Sequence, residues 1–329
     1  MSYRLTAHFG SLRTTLALLA LLAAVVLARP TFAPLALALG LLAVNLMAAL
    51  VVHPLLRRQL PLLVFHLALL ALLLLVGWGR LAALDGRFEL TQGVPFDGRM
   101  MDQDAGPLYD EPLQRLAFAH DSFEIDYAPG RQRGATRNAV TWRDHDGTPR
   151  SAVIGDHRPL VLAGHRIYTS PNKGFAPLLR WQPTRGEPVL GAVHLPSFPV
   201  HELRQSREWT LPDGREVWVM LQFNQTLIDP DKATAFALPD EHRLVVRIGS
   251  LRSELAPGQA IELEGGRLVY QGLRTWMGYR VSYDPSLPWL LAASLLAALA
   301  LAWHYAAKFW FAAKPAAAPL PAAAGVVDG

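Results

Sequence analysis

His66 is the residue in this chain whose type and setting point most directly to chemistry. It lies in Phe65-His66-Leu67, inside a run of 21 residues from Gln59 to Gly79 that holds no Asp, Glu, Lys or Arg. An ionisable side chain in so apolar a segment is expensive within a bilayer and marks a functional site by default. A neutral imidazole there could be an axial ligand to haem iron, a proton carrier or a hydrogen-bond partner for a neighbouring helix, and the residues alone leave the three open. Two other histidines, His53 and His304, fall near the ends of apolar runs. They read as interfacial anchors beside Trp303, Tyr305 and Trp310, with Trp78 and Trp289 forming the opposite belt. Asn45, in mid-run, reads as packing glue between helices.

The remaining chemistry-bearing residues form no site. His120, His145, His157, His165, His194, His201 and His242 make no HxH, HExxH or HxxxH pair, and the spacing of His157 and His165 is a weak signal, so all seven read as surface or loop residues. Asp102, Asp104, Asp110 and Glu111 are interrupted by Gly106 and Pro107, which breaks the twelve-residue calcium-loop pattern and leaves a solvated loop. No GxSxG elbow, phosphate-binding GxxxxGK[ST] or strand-linked GxGxxG occurs. There is no cysteine, which excludes disulfides, thiolate metal sites, a CxxC couple and a haem-attachment motif in this chain.

The elements that must position His66 follow from where the apolar residues sit. The 329 residues are 51% hydrophobic and only 18% charged, with a mean hydropathy of +0.20, a balance that points to a membrane protein. Four runs lack charge: Thr14 to Ala28, Pro30 to Leu56, Gln59 to Gly79 and Pro285 to Ala307, of 15, 27, 21 and 23 residues. A span needs roughly 20 residues, so the last three qualify and the first is extended by Phe9, Leu12 and snorkelling Arg13 and Arg29. Transmembrane helices are therefore expected at about 12–29, 32–53, 60–79 and 286–310. The first is read as uncleaved, although Val26-Leu27-Ala28 also satisfies a signal-peptide cleavage pattern.

Charge sets the orientation. Arg4, Arg13, Arg57, Arg58, Lys308 and Lys314 fall on one side and only Arg29 in the first opposite loop, which predicts cytoplasmic N- and C-termini. His66, about 10 Å of helical rise beyond Gln59, then lies in the cytoplasmic half of the bilayer. The net charge of +4 belongs to this topology, because the segment from Arg80 to Asp284 holds 24 basic and 26 acidic residues. No nucleic-acid partner is implied.

Residues 81–285 read differently, as short runs with period-two alternation or β-branched and aromatic enrichment. Examples are Phe123 to Tyr127, Arg166 to Thr169, Glu216 to Met220, Arg243 to Ile248, Ala260 to Leu263, Arg267 to Tyr270 and Tyr279 to Tyr283. Turn signals at Asp146-Gly147, Pro212-Asp213-Gly214, Pro257-Gly258 and Gly265-Gly266 separate them, the last predicting a tight hairpin. The expected fold is an integral membrane α-helical protein, three helices before and one after a large extracytoplasmic antiparallel β domain, a sandwich or irregular barrel. Residues 1–80 form the N-terminal membrane domain. The Pro- and Ala-rich residues 311–329 read as a cytoplasmic disordered tail.

This order of elements, with a histidine in the third span, resembles the ResB (Ccs-type) family of cytochrome c biogenesis proteins of the System II pathway. Phe65-His66-Leu67 followed by the Leu run and Gly77-Trp78-Gly79 is similar to the family's third span and its exit. Arg158-Pro159-Leu160-Val161-Leu162-Ala163-Gly164-His165-Arg166-Ile167-Tyr168-Thr169-Ser170 is similar to an outer-domain segment with a recurring Pro-Leu pair, Gly and Tyr. Gly278-Tyr279-Arg280-Val281-Ser282-Tyr283-Asp284-Pro285 resembles the entry to the last helix. The resemblance runs from about Leu12 to Phe311. His157 stands where the family has Asn, and Ser286 where Asp-Pro-Gly is common.

The resemblance implies a subunit of a membrane cytochrome c synthetase in the bacterial inner membrane, with the large domain periplasmic. It acts with a CcsA-like multi-span partner to move haem b outward and support its covalent attachment to apocytochrome c. His66 maps onto a haem axial ligand, and the second ligand is expected from the partner. The subunit is not catalytic alone, and thiol reduction falls to other proteins. The competing expectation is a non-catalytic membrane-anchored scaffold or sensor whose β domain binds an extracytoplasmic protein.

Overall fold

A computed structural model of the chain describes residues 6, 8–28 and 32–310. The chain divides into two compact units, Ala82–Asp284 and the segments that flank it on either side. The flanking unit is helical: α1 (Leu12–Ala28), α2 (Phe32–Val52), α3 (Pro54–Arg58), α4 (Leu60–Ala82) and α5 (Leu287–Trp310). Three helices among the described residues, over Pro34–Val52, Leu60–Ala82 and Leu287–Phe309, are long and apolar enough to cross a membrane. Leu12–Ala28 is shorter. The expected tail and the basic residues Arg4, Arg29 and Lys314 lie outside the described residues.

The second charge-free run does not form one helix. Pro54 imposes the break: a residue before proline is pushed out of the α region, and His53 is extended at φ −95°, ψ 101°. Pro54 then opens the five-residue α3, where its missing N–H costs nothing. Helices α1 and α2 are tied by a polar contact rather than by apolar packing alone. Thr15 Oγ1 donates to Asn45 Oδ1 at 2.8 Å, and Asn45 Nδ2 donates to the Phe9 carbonyl. Asn45 is buried, as the packing reading requires.

The Ala82–Asp284 unit holds fifteen strands, β1 (Leu84–Thr91), β2 (Asp102–Ala105), β3 (Phe118–Ala128), β4 (Gln132–Arg143), β5 (Pro149–Ile154), β6 (Leu160–Leu162), β7 (His165–Pro183), β8 (Val189–Ala192), β9 (Ser206–Thr210), β10 (Glu216–Gln222), β11 (Thr234–Ala235), β12 (Arg243–Ile248), β13 (Leu251–Leu255), β14 (Ala260–Leu263) and β15 (Gly266–Tyr283). They build three sheets: a seven-stranded one along β2-β1-β15-β7-β6 with β14 and β8 at its side, and four-stranded ones ordered β13-β12-β10-β9 and β11-β3-β4-β5. Every pairing is antiparallel. One apolar core, with Phe88, Phe118, Ile125, Val219, Val246 and Tyr279 at its centre, is shared by all three.

Strict alternation puts those residues inward. In β10, Val217, Val219 and Leu221 are buried while their neighbours are not. The runs Arg267 to Tyr270 and Tyr279 to Tyr283 are two ends of one strand, β15, paired along nearly its whole length with β7. Register shifts at Tyr270/Gly272 and Met277/Tyr279 bend the pair.

Two local readings need correction. The β14–β15 hairpin exists, but its loop is Glu264-Gly265 rather than Gly265-Gly266, because Leu263 already pairs with Gly266. Gly265 supplies the positive φ of 82°, while Gly266 lies against Pro183, whose Cα would sit 2.8 Å from an added Cβ. Asp102 and Asp104 are on an exposed edge strand, β2, paired with β1, rather than in a loop.

Candidate functional site

Helix α4 presents His66 through its periodicity. Residues 66, 69, 73 and 76 fall on one face, and His66, Leu69, Leu73 and Val76 all line the same cavity of 510 Å³. The opposite walls come from α1 through Thr15 and Leu19, and from α2 through Leu42 and Asn45. The volume is in the range of small-molecule pockets, and Leu dominates the walls.

Within that cavity a backbone hydrogen bond selects the tautomer of the neutral ring. His66 Nδ1 lies 2.7 Å from the Leu62 carbonyl one turn back, and a carbonyl can only accept, so Nδ1 carries the proton. In the neutral imidazole this leaves the lone pair on Nε2, which has no hydrogen-bond partner among the described residues. Phe65 packs edge-on against the ring with centroids 5.3 Å apart. A backbone carbonyl on Nδ1 with Nε2 bare is the arrangement that orients metal-ligating histidines.

His53 and Asn45 also line this cavity, whereas His304 does not. His53 Nε2 is 3.2 Å from the Gly10 carbonyl. Gly10 is the residue that lets the N-terminal segment approach α2 this closely, since an added Cβ would be 2.8 Å from the Ala49 nitrogen. His304 touches Tyr305 on α5 at a ring separation of 5.5 Å.

Six of the seven outer-domain histidines divide into two groups. The seventh, His242, is half-buried against Tyr270 with both ring nitrogens buried and no hydrogen-bond partner among the described residues, which also corrects the surface reading. His145, His157 and His201 are exposed, as expected. His120 and His165 are buried and His194 is nearly so, which corrects the surface reading. Each is a polar bridge. His120 Nδ1 accepts from Asn138 Nδ2 at 2.8 Å and its Nε2 donates to Thr275 Oγ1 at 3.2 Å. Burial pushes His120 down to about 4. His165 donates through Nδ1 to the Ala163 carbonyl at 2.9 Å and accepts from Tyr109; burial lowers its pKa. His194 joins Glu89 and Thr91, each at 2.8 Å, and stacks on Trp276. The signal was parity: His120 shares the inward face of its strand with Phe118, and His165 with Ile167. No group of three or more His, Asp or Glu suited to a metal ion occurs among the described residues.

The sequence matches the model of the ResB-like family over residues 56–325, well over half of the chain. The chain belongs to the ResB-like family. It is also 26% identical over 257 residues, 76% of its length, to proteins named cytochrome c biogenesis protein CcsB from Synechococcus elongatus and from another Synechococcus strain. The chain spans about half the length of these curated relatives, 52% of each. In this ResB-like chain the family match takes in His66 and the whole β unit. It begins at Leu56, so the α1–α2 wall of the cavity and His53 lie before it.

Proposed function

We propose that this chain is a cytochrome c biogenesis subunit that, with a CcsA-like membrane partner, moves haem b across the bacterial inner membrane and supports its covalent attachment to apocytochrome c. The observation that carries the reading is the state of His66. A histidine in an apolar helix has its Nδ1 proton committed to the Leu62 carbonyl at 2.7 Å and its Nε2 free beside a 510 Å³ cavity. Nε2 of a neutral imidazole is a haem-iron ligand, and apolar walls suit the faces of a porphyrin. Haem is cargo in this scheme. His66 holds the iron within the membrane, and the walls keep water from it.

All four long helices span in this reading, α1 included through snorkelling of Arg13. Arg13, Arg57, Arg58 and Lys308 then face the cytoplasm, and the β unit is periplasmic. The relatives' name, cytochrome c biogenesis protein, supports the pathway. Thiol reduction of the apocytochrome falls to other proteins, since this chain has no cysteine. The test is to co-express the chain with a CcsA-like partner and a c-type apocytochrome in a host without its own assembly system. Covalent haem on the cytochrome, seen by haem staining after denaturing electrophoresis, is expected only with both membrane proteins present. Equal staining without this chain contradicts the proposal.

A further inference from the structure

The cavity beside His66 holds a second imidazole. His53 is placed there by Pro54, which ends α2 and leaves the histidine extended between two helices. His53 lines the same 510 Å³ space as His66, although the two residues are on different elements. The other polar side chains on the walls satisfy each other: Thr15 donates to Asn45 at 2.8 Å, and Asn45 donates to the Phe9 carbonyl.

The uncommitted nitrogen lone pairs on the side chains of these walls are therefore those of two imidazoles. His66 offers Nε2 as it stands. His53 donates through Nε2 to the Gly10 carbonyl across 3.2 Å, longer than the 2.7 Å bond that fixes His66. Transfer of the ring proton to Nδ1 frees Nε2 at the loss of that one long contact. Two neutral imidazoles in an apolar cavity suit a metal that takes two nitrogen ligands and brings the rest of its coordination with it. Iron in porphyrin does so. A tetrahedral zinc ion would lack half of its ligands, since no group of three or more His, Asp or Glu able to hold a metal occurs among the described residues.

We propose that His53 supplies the second axial imidazole to haem held by His66, so that this chain saturates the iron before any partner's ring engages it. The proposal rests on the haem reading of His66, and it places the second ligand in a segment that precedes the family match.

The experiment uses the purified full chain without partner, in detergent, titrated with ferric haem and followed by absorption and electron paramagnetic resonance. The wild type is expected to give a six-coordinate, low-spin spectrum. The variant His53→Gln keeps an amide donor for the Gly10 carbonyl but is a poor iron ligand. It is expected to bind haem in a high-spin form that free imidazole returns to low spin. A low-spin His53→Gln complex without added imidazole overturns the proposal. A five-coordinate wild-type complex does so too, whatever the folding of the variant. His66→Ala separates the two layers. Loss of haem in His66→Ala together with an unchanged His53→Gln spectrum leaves the His66 reading standing and removes His53. Undiminished haem in His66→Ala removes both.

Discussion

The buried imidazole of His120 makes the β unit sensitive to acid in a way that can be worked out in advance. The ring is fully buried, accepts from Asn138 Nδ2 at 2.8 Å through Nδ1, and donates to Thr275 Oγ1 through Nε2. Asn138 in turn accepts from Tyr279 Oη at 2.6 Å and donates to the Ser122 carbonyl at 2.7 Å, so the neutral ring is the form the network accommodates. Burial depresses the folded-state pKa to about 4, against an unfolded value near 6.5. The unfolded chain therefore takes up the proton first as pH falls. The stabilisation is complete above about pH 6.5 and is lost progressively down to about pH 4. Each pH unit between is worth about 1.4 kcal/mol, so the loss reaches about 3 kcal/mol. The assay is denaturant unfolding of the full chain followed by tryptophan fluorescence at pH 7.5 and 4.5, for wild type and His120→Gln. Lowering the pH is expected to cost the wild type about 2–3 kcal/mol more than the variant. His165, also depressed by burial, is common to both proteins and cancels. An equal acid loss in the two would refute the linkage to His120.

Three other perturbations have defined outcomes. Lys173 is buried, with a pKa lowered to about 8 chiefly by burial and next by Arg133. Its depressed pKa makes stability rise from about pH 8 to 10.5, so Lys173→Met should stabilise the protein at pH 7 by about 1–3 kcal/mol and flatten that rise in denaturant titrations. Gly266→Ala forces a Cβ against Pro183 Cα at 2.8 Å, and a loss of about 1–3 kcal/mol is expected; Gly40→Ala, with nothing within 4 Å, should be neutral or slightly stabilising in the same measurement. A double-mutant cycle of Thr15→Val and Asn45→Leu, read by unfolding in mixed micelles, should return a coupling of about 0.6–1.7 kcal/mol. Simple additivity would show that this contact does not hold α1 to α2.

Much of this was legible in the sequence because the signals are local. Charge-free runs of 21 and 23 residues marked helices, and Arg243 to Ile248 and Ala260 to Leu263 marked strands at their observed bounds. What depends on distant pairing was not legible. The pairing of Leu263 with Gly266 moved the hairpin loop by one residue, a choice made by the register with β14 and by the crowding of Gly266 against β7. His120 and His165 carry the same one-letter identity as exposed histidines. Only their inward parity beside Phe118 and Ile167, and partners as far away as Thr275, make them core residues. His66 stood out because a histidine among leucines is rare and costly. His53 did not, since the cavity that unites the two is built from three helices brought together by folding.

The central claim is that His66 holds haem iron inside the membrane unit, and haem occupancy tests it most directly. The chain would be purified from the membrane together with the proposed CcsA-like partner, as wild type and as His66→Ala, and Soret absorbance measured per mole of protein. The expected result is strong loss of haem in His66→Ala, recovered at least in part by imidazole added during purification. Occupancy equal to wild type, with no response to imidazole, would contradict it.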